Sequence, residues 1–156
     1  MTDTQQCLAR YGDPAIPAFQ RFLVDYVFPA WLAPRWPNYD GRKVTHQWLN
    51  KDIIKPLEAV FRELIATGLV KELKTYGGAG NLRYKRGMRQ VAANLSIHPW
   101  YCALDFNQLL NPLGVKLGSR PGMFTPAFIA VWRKHGWVCG ADFSRPDCMH
   151  FQYIPK

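Results

Sequence analysis

Two histidines and two aspartates carry the chemistry that needs explaining first. His98 lies seven residues before Asp105, within Ser96-Ile97-His98-Pro99-Trp100-Tyr101-Cys102-Ala103-Leu104-Asp105. Asp147 lies three residues before His150, within Asp147-Cys148-Met149-His150-Phe151. Asp105 is the only carboxylate between Leu73 and Ala141, a stretch that holds nine Lys or Arg. A lone acid in a basic, aromatic segment needs a reason. Two His and one Asp make a three-ligand set for zinc with the fourth position open. Neutral imidazole suits the ion, a carboxylate ligand offsets part of its charge, and the open position admits water and then substrate. A second, non-ligating carboxylate three residues before the last His can take the water's proton and hand it to a leaving amine. No single helix or strand turns a His-x6-Asp spacing into one site. Types and spacing alone therefore leave a core or surface role open for each histidine.

The pattern around these residues resembles a known family. Ser96-x-His98-x4-Ala103-x-Asp105 is similar to the SxHxxGxAxD motif of the zinc D-Ala-D-Ala peptidases. That superfamily includes D-alanyl-D-alanine carboxypeptidases, vancomycin-resistance dipeptidases and phage L-alanyl-D-glutamate endolysins. Gly136-Trp137-x-x-Gly140 followed by Asp147-x-x-His150-Phe151 resembles the family's closing block. Tyr76-Gly77-Gly78 through Arg83 to Arg86-Gly87 resembles the stretch that carries an Arg before Ser-x-His, and Asn107, Asn111 and Gly114 resemble the region after the Asp in small phage members. The likeness spans about residues 50–154, with three blocks in the family's order.

The resemblance implies His98, Asp105 and His150 as zinc ligands and Asp147 as general base. It implies that Arg83 binds the substrate's carbonyl or carboxylate and stabilises the developing oxyanion, with Arg86 as the alternative. It implies that Ser96 hydrogen-bonds near metal or substrate. Apart from the resemblance, Trp100 and Trp137 read either as lining the cleft or as core or rim packing. The pattern also departs from the family. Tyr101 stands where the motif has Gly, and Gln152 follows His150-Phe151 where many members have Glu. Cys139 and Ala141 replace an aromatic and a Gly of the closing block.

The elements that must position these residues are short, because twelve Pro and twelve Gly punctuate the chain. Apolar spacing predicts a helix over 18–28, followed by an irregular stretch around Pro29, Pro34 and Pro37. The clearest helix is predicted over 52–67, capped by Asn50 and stopped by Gly68. Strands are predicted over 69–76, 101–106, 136–139 and 149–154, and a helix over 126–134. Helices first and strands later suggest an α+β fold with a small antiparallel sheet flanked by helices. The family resemblance implies the same architecture, hedgehog- and DD-peptidase-like. The expected layout is one domain, with a loop-rich lead-in over 1–50 and a catalytic core over 51–156.

Length and composition bound the rest. The chain has 156 residues, 48% hydrophobic and 20% charged, which excludes a disordered or fibrous protein. No apolar run reaches the ~18–20 residues of a membrane span. Twenty Lys+Arg against eleven Asp+Glu give a formal +9, which draws the protein to polyanions such as nucleic acid, anionic lipid or acidic wall polymer. The basic cluster Arg83, Lys85, Arg86, Arg89 matches no nucleic-acid-binding pattern, so no specific nucleic-acid partner is expected. Cys7, Cys102, Cys139 and Cys148 form no CxxC pair and read as free, partly buried thiols. His46 reads as a surface or capping residue, and His135 as the end of a helix, where a cation suits the dipole.

The N-terminus lacks a secretory signal, so a cytoplasmic location is expected. A phage enzyme would wait there until released to the wall. The functional expectation is a monomeric zinc peptidase acting on peptidoglycan stem peptides. The alternatives are an inactive structural relative in a virion and a basic nucleic-acid-binding module.

Overall fold

The computed structural model describes residues 1–31, 43–81, 85, 90 and 95–156. In chain order its elements are α1 (Asp3–Tyr11), β1 (Leu23–Val27), β2 (His46–Asn50), α2 (Ile54–Ala66), β3 (Tyr76–Gly78), β4 (Ala103–Phe106), α3 (Pro126–Lys134), β5 (Val138–Cys139) and β6 (His150–Gln152), joined by short 3-10 turns. β1 and β2 form an antiparallel ribbon, and the other strands form a four-stranded sheet in the order β3-β4-β6-β5, antiparallel throughout. This is the α+β arrangement expected from the sequence.

Alternation along β4 and β6 divides the sheet into a core face and a site face. Leu104 pairs with Phe151, and Asp105 pairs with His150 in the next position. Phe106 and Phe151 turn toward α3, where the Trp132 ring stacks on Phe151 with centroids 4.3 Å apart and packs against Phe106 at 5.7 Å. Phe128 and Phe124 extend the cluster, stacked at 4.2 Å. α3 presents Phe128, Ile129 and Trp132 to this core at helical spacing, with Pro126 in its first turn and the Thr125 hydroxyl accepting from the Phe128 N–H. α2 buries Leu57, Val60, Phe61 and Leu64 and ends before Gly68, which is left-handed.

Two predicted elements differ from the structure. The stretch predicted as a helix over 18–28 is a 3-10 helix, Pro17–Phe22, running into β1. Leu23, Val24, Tyr26 and Val27 fit a pleated surface, and pairing with β2 from Leu23↔Asn50 to Val27↔His46 outweighs the helical spacing. The strand predicted over 69–76 is a 3-10 helix, Leu69–Glu72, followed by the short β3. The Asn107 side-chain oxygen accepts from the N–H groups of Lys74 and Thr75, both at 2.9 Å, which takes the donors a longer ladder would use. The first fifty residues also hold α1, a 3-10 helix, β1 and β2 where a loop-rich lead-in was expected. The irregular stretch expected around Pro34 and Pro37 lies outside the described residues.

Candidate metal centre and cleft

Three segments meet at one point. His98 opens a 3-10 turn, His98–Trp100, whose C-terminal residue Tyr101 is left-handed (φ 56°, ψ 30°). Tyr101 therefore supplies the backbone conformation that the motif's glycine would favour. It is held there by its own N–H to the His98 carbonyl (2.8 Å) and by the Asn50 N–H on its carbonyl (3.0 Å). Its ring lies over Gly80, at a place where a Cβ would collide with it. The turn feeds β4, which carries Asp105 directly opposite His150 on β6.

The facing atoms form a nearly equilateral triangle. His98 Nε2 to His150 Nδ1 is 3.1 Å, His150 Nδ1 to Asp105 Oδ1 is 3.1 Å, and His98 Nε2 to Asp105 Oδ1 is 3.3 Å. His98, Asp105 and His150 are 3%, 7% and 4% exposed. Ligand atoms around a tetrahedral ion with bonds of about 2.0–2.1 Å lie about 3.3 Å apart. The triangle matches that spacing with two imidazole nitrogens and one carboxylate oxygen, so the three residues fit a divalent metal ion. Burial opposes a charge on Asp105, but hydrogen bonds from His150 and His98, with their charges, outweigh it. They hold the carboxyl well below the usual carboxylate range. Burial likewise disfavours charge on His150, yet its hydrogen bond to Asp105 and the carboxylate's charge raise its pKa above the ordinary value. Both shifts come from the close facing of the imidazoles and the carboxylate.

A cleft of about 860 Å³ opens at this point. Asp147, Ser96, His150 and Gln152 line it, with Lys85 and Arg145 as its cations and Phe143 as an aromatic wall. Asp147 is half-buried in the turn before β6; its N–H donates to the Gly140 carbonyl at 2.8 Å, and its carbonyl accepts the His150 N–H at 2.9 Å. The Ser96 hydroxyl is buried with no hydrogen-bond partner among the described residues. The structure thus brings Ser96, His98, Asp105, Asp147 and His150 together.

Other expected positions fall elsewhere. Arg83 and Arg86 lie outside the described residues. Trp137 is 3% exposed and sits in the core, edge-on to Trp132 (5.0 Å) and against Tyr153 (5.5 Å), with its N–H directed to the Pro56 carbonyl. It does not line the cleft, because the chain turns it onto α3 as it enters β5. Trp100 is buried too, and its N–H donates to the Gly12 carbonyl at 2.9 Å. Asn107 and Asn111 are structural ties, and Asn111 accepts from the Phe124 N–H at 3.0 Å. The four cysteines are buried, free thiols, His46 is exposed beside Asp25, and His135 follows α3 near Glu63.

Sequence reasoning missed the N-terminal helix at the site. Thr2 and Asp3 line the cleft, and the Thr4 hydroxyl donates to the Leu95 carbonyl at 2.9 Å. A signal for the helix was present. Thr2-x-x-Gln5 is a capping box, in which the Gln5 N–H donates to the Thr2 hydroxyl and the Thr2 N–H to the Gln5 side chain.

Residues 90–153 match a family model described as D-alanyl-D-alanine carboxypeptidase. The matched stretch contains His98, Asp105, Asp147 and His150. It supports a peptidoglycan-related peptidase and agrees with the superfamily that the motifs resemble. No curated protein and no solved structure matches the chain.

Proposed function

We propose that this protein is a zinc-dependent peptidase that hydrolyses an amide bond in peptidoglycan stem peptides. In this reading it is a phage endolysin of the L-alanyl-D-glutamate endopeptidase or D-Ala-D-Ala carboxypeptidase type, made in the host cytoplasm and released to the wall. The observation that carries the reading is the triangle of His98, Asp105 and His150, with edges of 3.1–3.3 Å, at a cleft also lined by Asp147. The +9 charge suits an anionic wall.

His98, Asp105 and His150 would hold the ion, which when bound supplies Lewis-acid polarisation and a water acidic enough to react near neutral pH. Asp147 accepts the proton of the attacking water on a carboxylate oxygen and returns it to the leaving amine nitrogen. Ser96 offers its buried hydroxyl to the substrate backbone. Arg83, or Arg86 in its place, balances the charge that develops on the scissile carbonyl oxygen.

The test is digestion of purified peptidoglycan, with new termini identified by mass spectrometry, run with a chelator and with zinc restored. A new L-Ala carboxyl end identifies the endopeptidase, and free D-Ala the carboxypeptidase. Folded protein that releases neither under any metal refutes the reading.

A further inference from the structure

The site face of β6 continues past His150. The His150 Nδ1 faces the triangle, and its other ring nitrogen, Nε2, lies 2.8 Å from the Gln152 Oε1. The Gln152 Nε2 in turn donates to Asp3 Oδ2 at 2.5 Å, from the first turn of α1. Gln152 is only 4% exposed, so water does not compete freely for its amide.

We infer that Asp3 fixes the orientation of the Gln152 amide, so that its oxygen holds the His150 ring by Nε2–H and turns Nδ1 toward the other two ligands, and is thereby a positioning residue for the metal ligand. The polarity follows from donors and acceptors alone. An ionised carboxylate only accepts, so Asp3 must face the NH2 of Gln152. That fixes the amide's oxygen toward His150 Nε2. An oxygen there requires a proton on Nε2, so Nδ1 is the nitrogen that remains for a metal ion beside Asp105 and His98. Partners behind a ligating imidazole orient the ring and raise its basicity, and losing one typically costs about 10–100-fold in metal affinity. Glutamine at 152 is ambivalent by itself, since its amide can present either end to His150. The helix N-terminal to the metal motifs removes that ambiguity. A glutamate at 152 would accept from Nε2 with no help from Asp3.

This inference rests on the metal reading above, and its test separates the two. Zinc affinity of the full-length protein is measured by competition with a chromophoric chelator. The hydrogen bond of the His150 Nε2–H is read from 1H and 15N shifts of the zinc-loaded protein. In Asp3→Asn, zinc affinity should fall about 10-fold or more, and the His150 Nε2–H signature should weaken, with the fold retained by circular dichroism. In Gln152→Glu, two carboxylates face each other, so adding Asp3→Asn should now tighten zinc binding.

The reversal of sign is the decisive readout. A purely structural role for Asp3 in the first turn of α1 would weaken zinc in both backgrounds. Wild-type zinc binding with no change in Asp3→Asn, or a loss of equal size in both backgrounds, overturns the inference and leaves the metal reading standing. No zinc binding by folded wild-type protein overturns both.

Discussion

Gly140 offers the sharpest test of how the cleft is built. It begins the 3-10 turn after β5, and its carbonyl accepts the Asp147 N–H at 2.8 Å. A Cβ added to Gly140 would overlap the Asp147 carbonyl oxygen and come within 3.0 Å of both the carbonyl carbon and Cβ of Asp147. Carbon–carbon contacts are comfortable at about 3.5–4.0 Å, so the carbon gaps alone must open by roughly 0.5 Å or more, and the oxygen must move further. The neighbour in the way is backbone, so it cannot rotate aside as a side chain would. Gly140→Ala should therefore displace Asp147, and through the Asp147 carbonyl it should pull on the His150 N–H, a 2.9 Å bond. A shift of about 1 Å in a catalytic group is worth on the order of 10²-fold in rate. Overpacking should also cost roughly 1–3 kcal/mol of stability.

The assay is turnover of a defined stem-peptide substrate, alongside zinc content and a denaturant melt of the same preparation. The expected result is kcat reduced about 10²-fold with zinc largely retained. A Gly140→Ala protein within threefold of wild type would refute the claim that close backbone approach here places the base.

Further outcomes are expected elsewhere. Alanine at His98, Asp105 or His150 should abolish stoichiometric zinc binding, read by metal analysis after gel filtration. Asp147→Ala should keep zinc and lose about 10²–10⁴-fold in kcat, and retained turnover would remove the general-base role. Asn107→Ala should destabilise the fold by about 3 kcal/mol or more in urea, since it strips acceptor contacts from two backbone N–H groups and a donor from the Glu72 carbonyl, at a left-handed position (φ 49°). Trp137→Ala should cost about 3–5 kcal/mol by leaving a core cavity, with KM unchanged at temperatures where the variant stays folded.

The residue types at 98, 105, 147 and 150 are compatible with metal chemistry but leave other roles open, and it is the motif around them that points to a metal site. Helical spacing and end signals announce α3 within its observed bounds, Pro126–Lys134, and α2 to within two residues, because amphipathic helices are coded locally. Strands are coded less locally. The stretch 18–28 shows helical spacing yet contains β1, since its fate depends on β2 some twenty residues away. Tyr101 is a departure from the motif in sequence. In three dimensions it takes a left-handed backbone of the kind a glycine favours, and two hydrogen bonds and the space over Gly80 hold it there.

Sequence by itself thus determined the fold class and the two central helices, which follow from local periodicity, while the motif resemblance singled out His98, Asp105 and His150 as candidate ligands. Only the tertiary structure decided that Asp105 and His150 stand opposite each other, since strand register is a long-range pairing. Only it sent Trp137 into the core and brought Asp3 to Gln152 across 149 residues of chain. Such contacts arise when distant segments share one buried face, and no spacing along a single element encodes them.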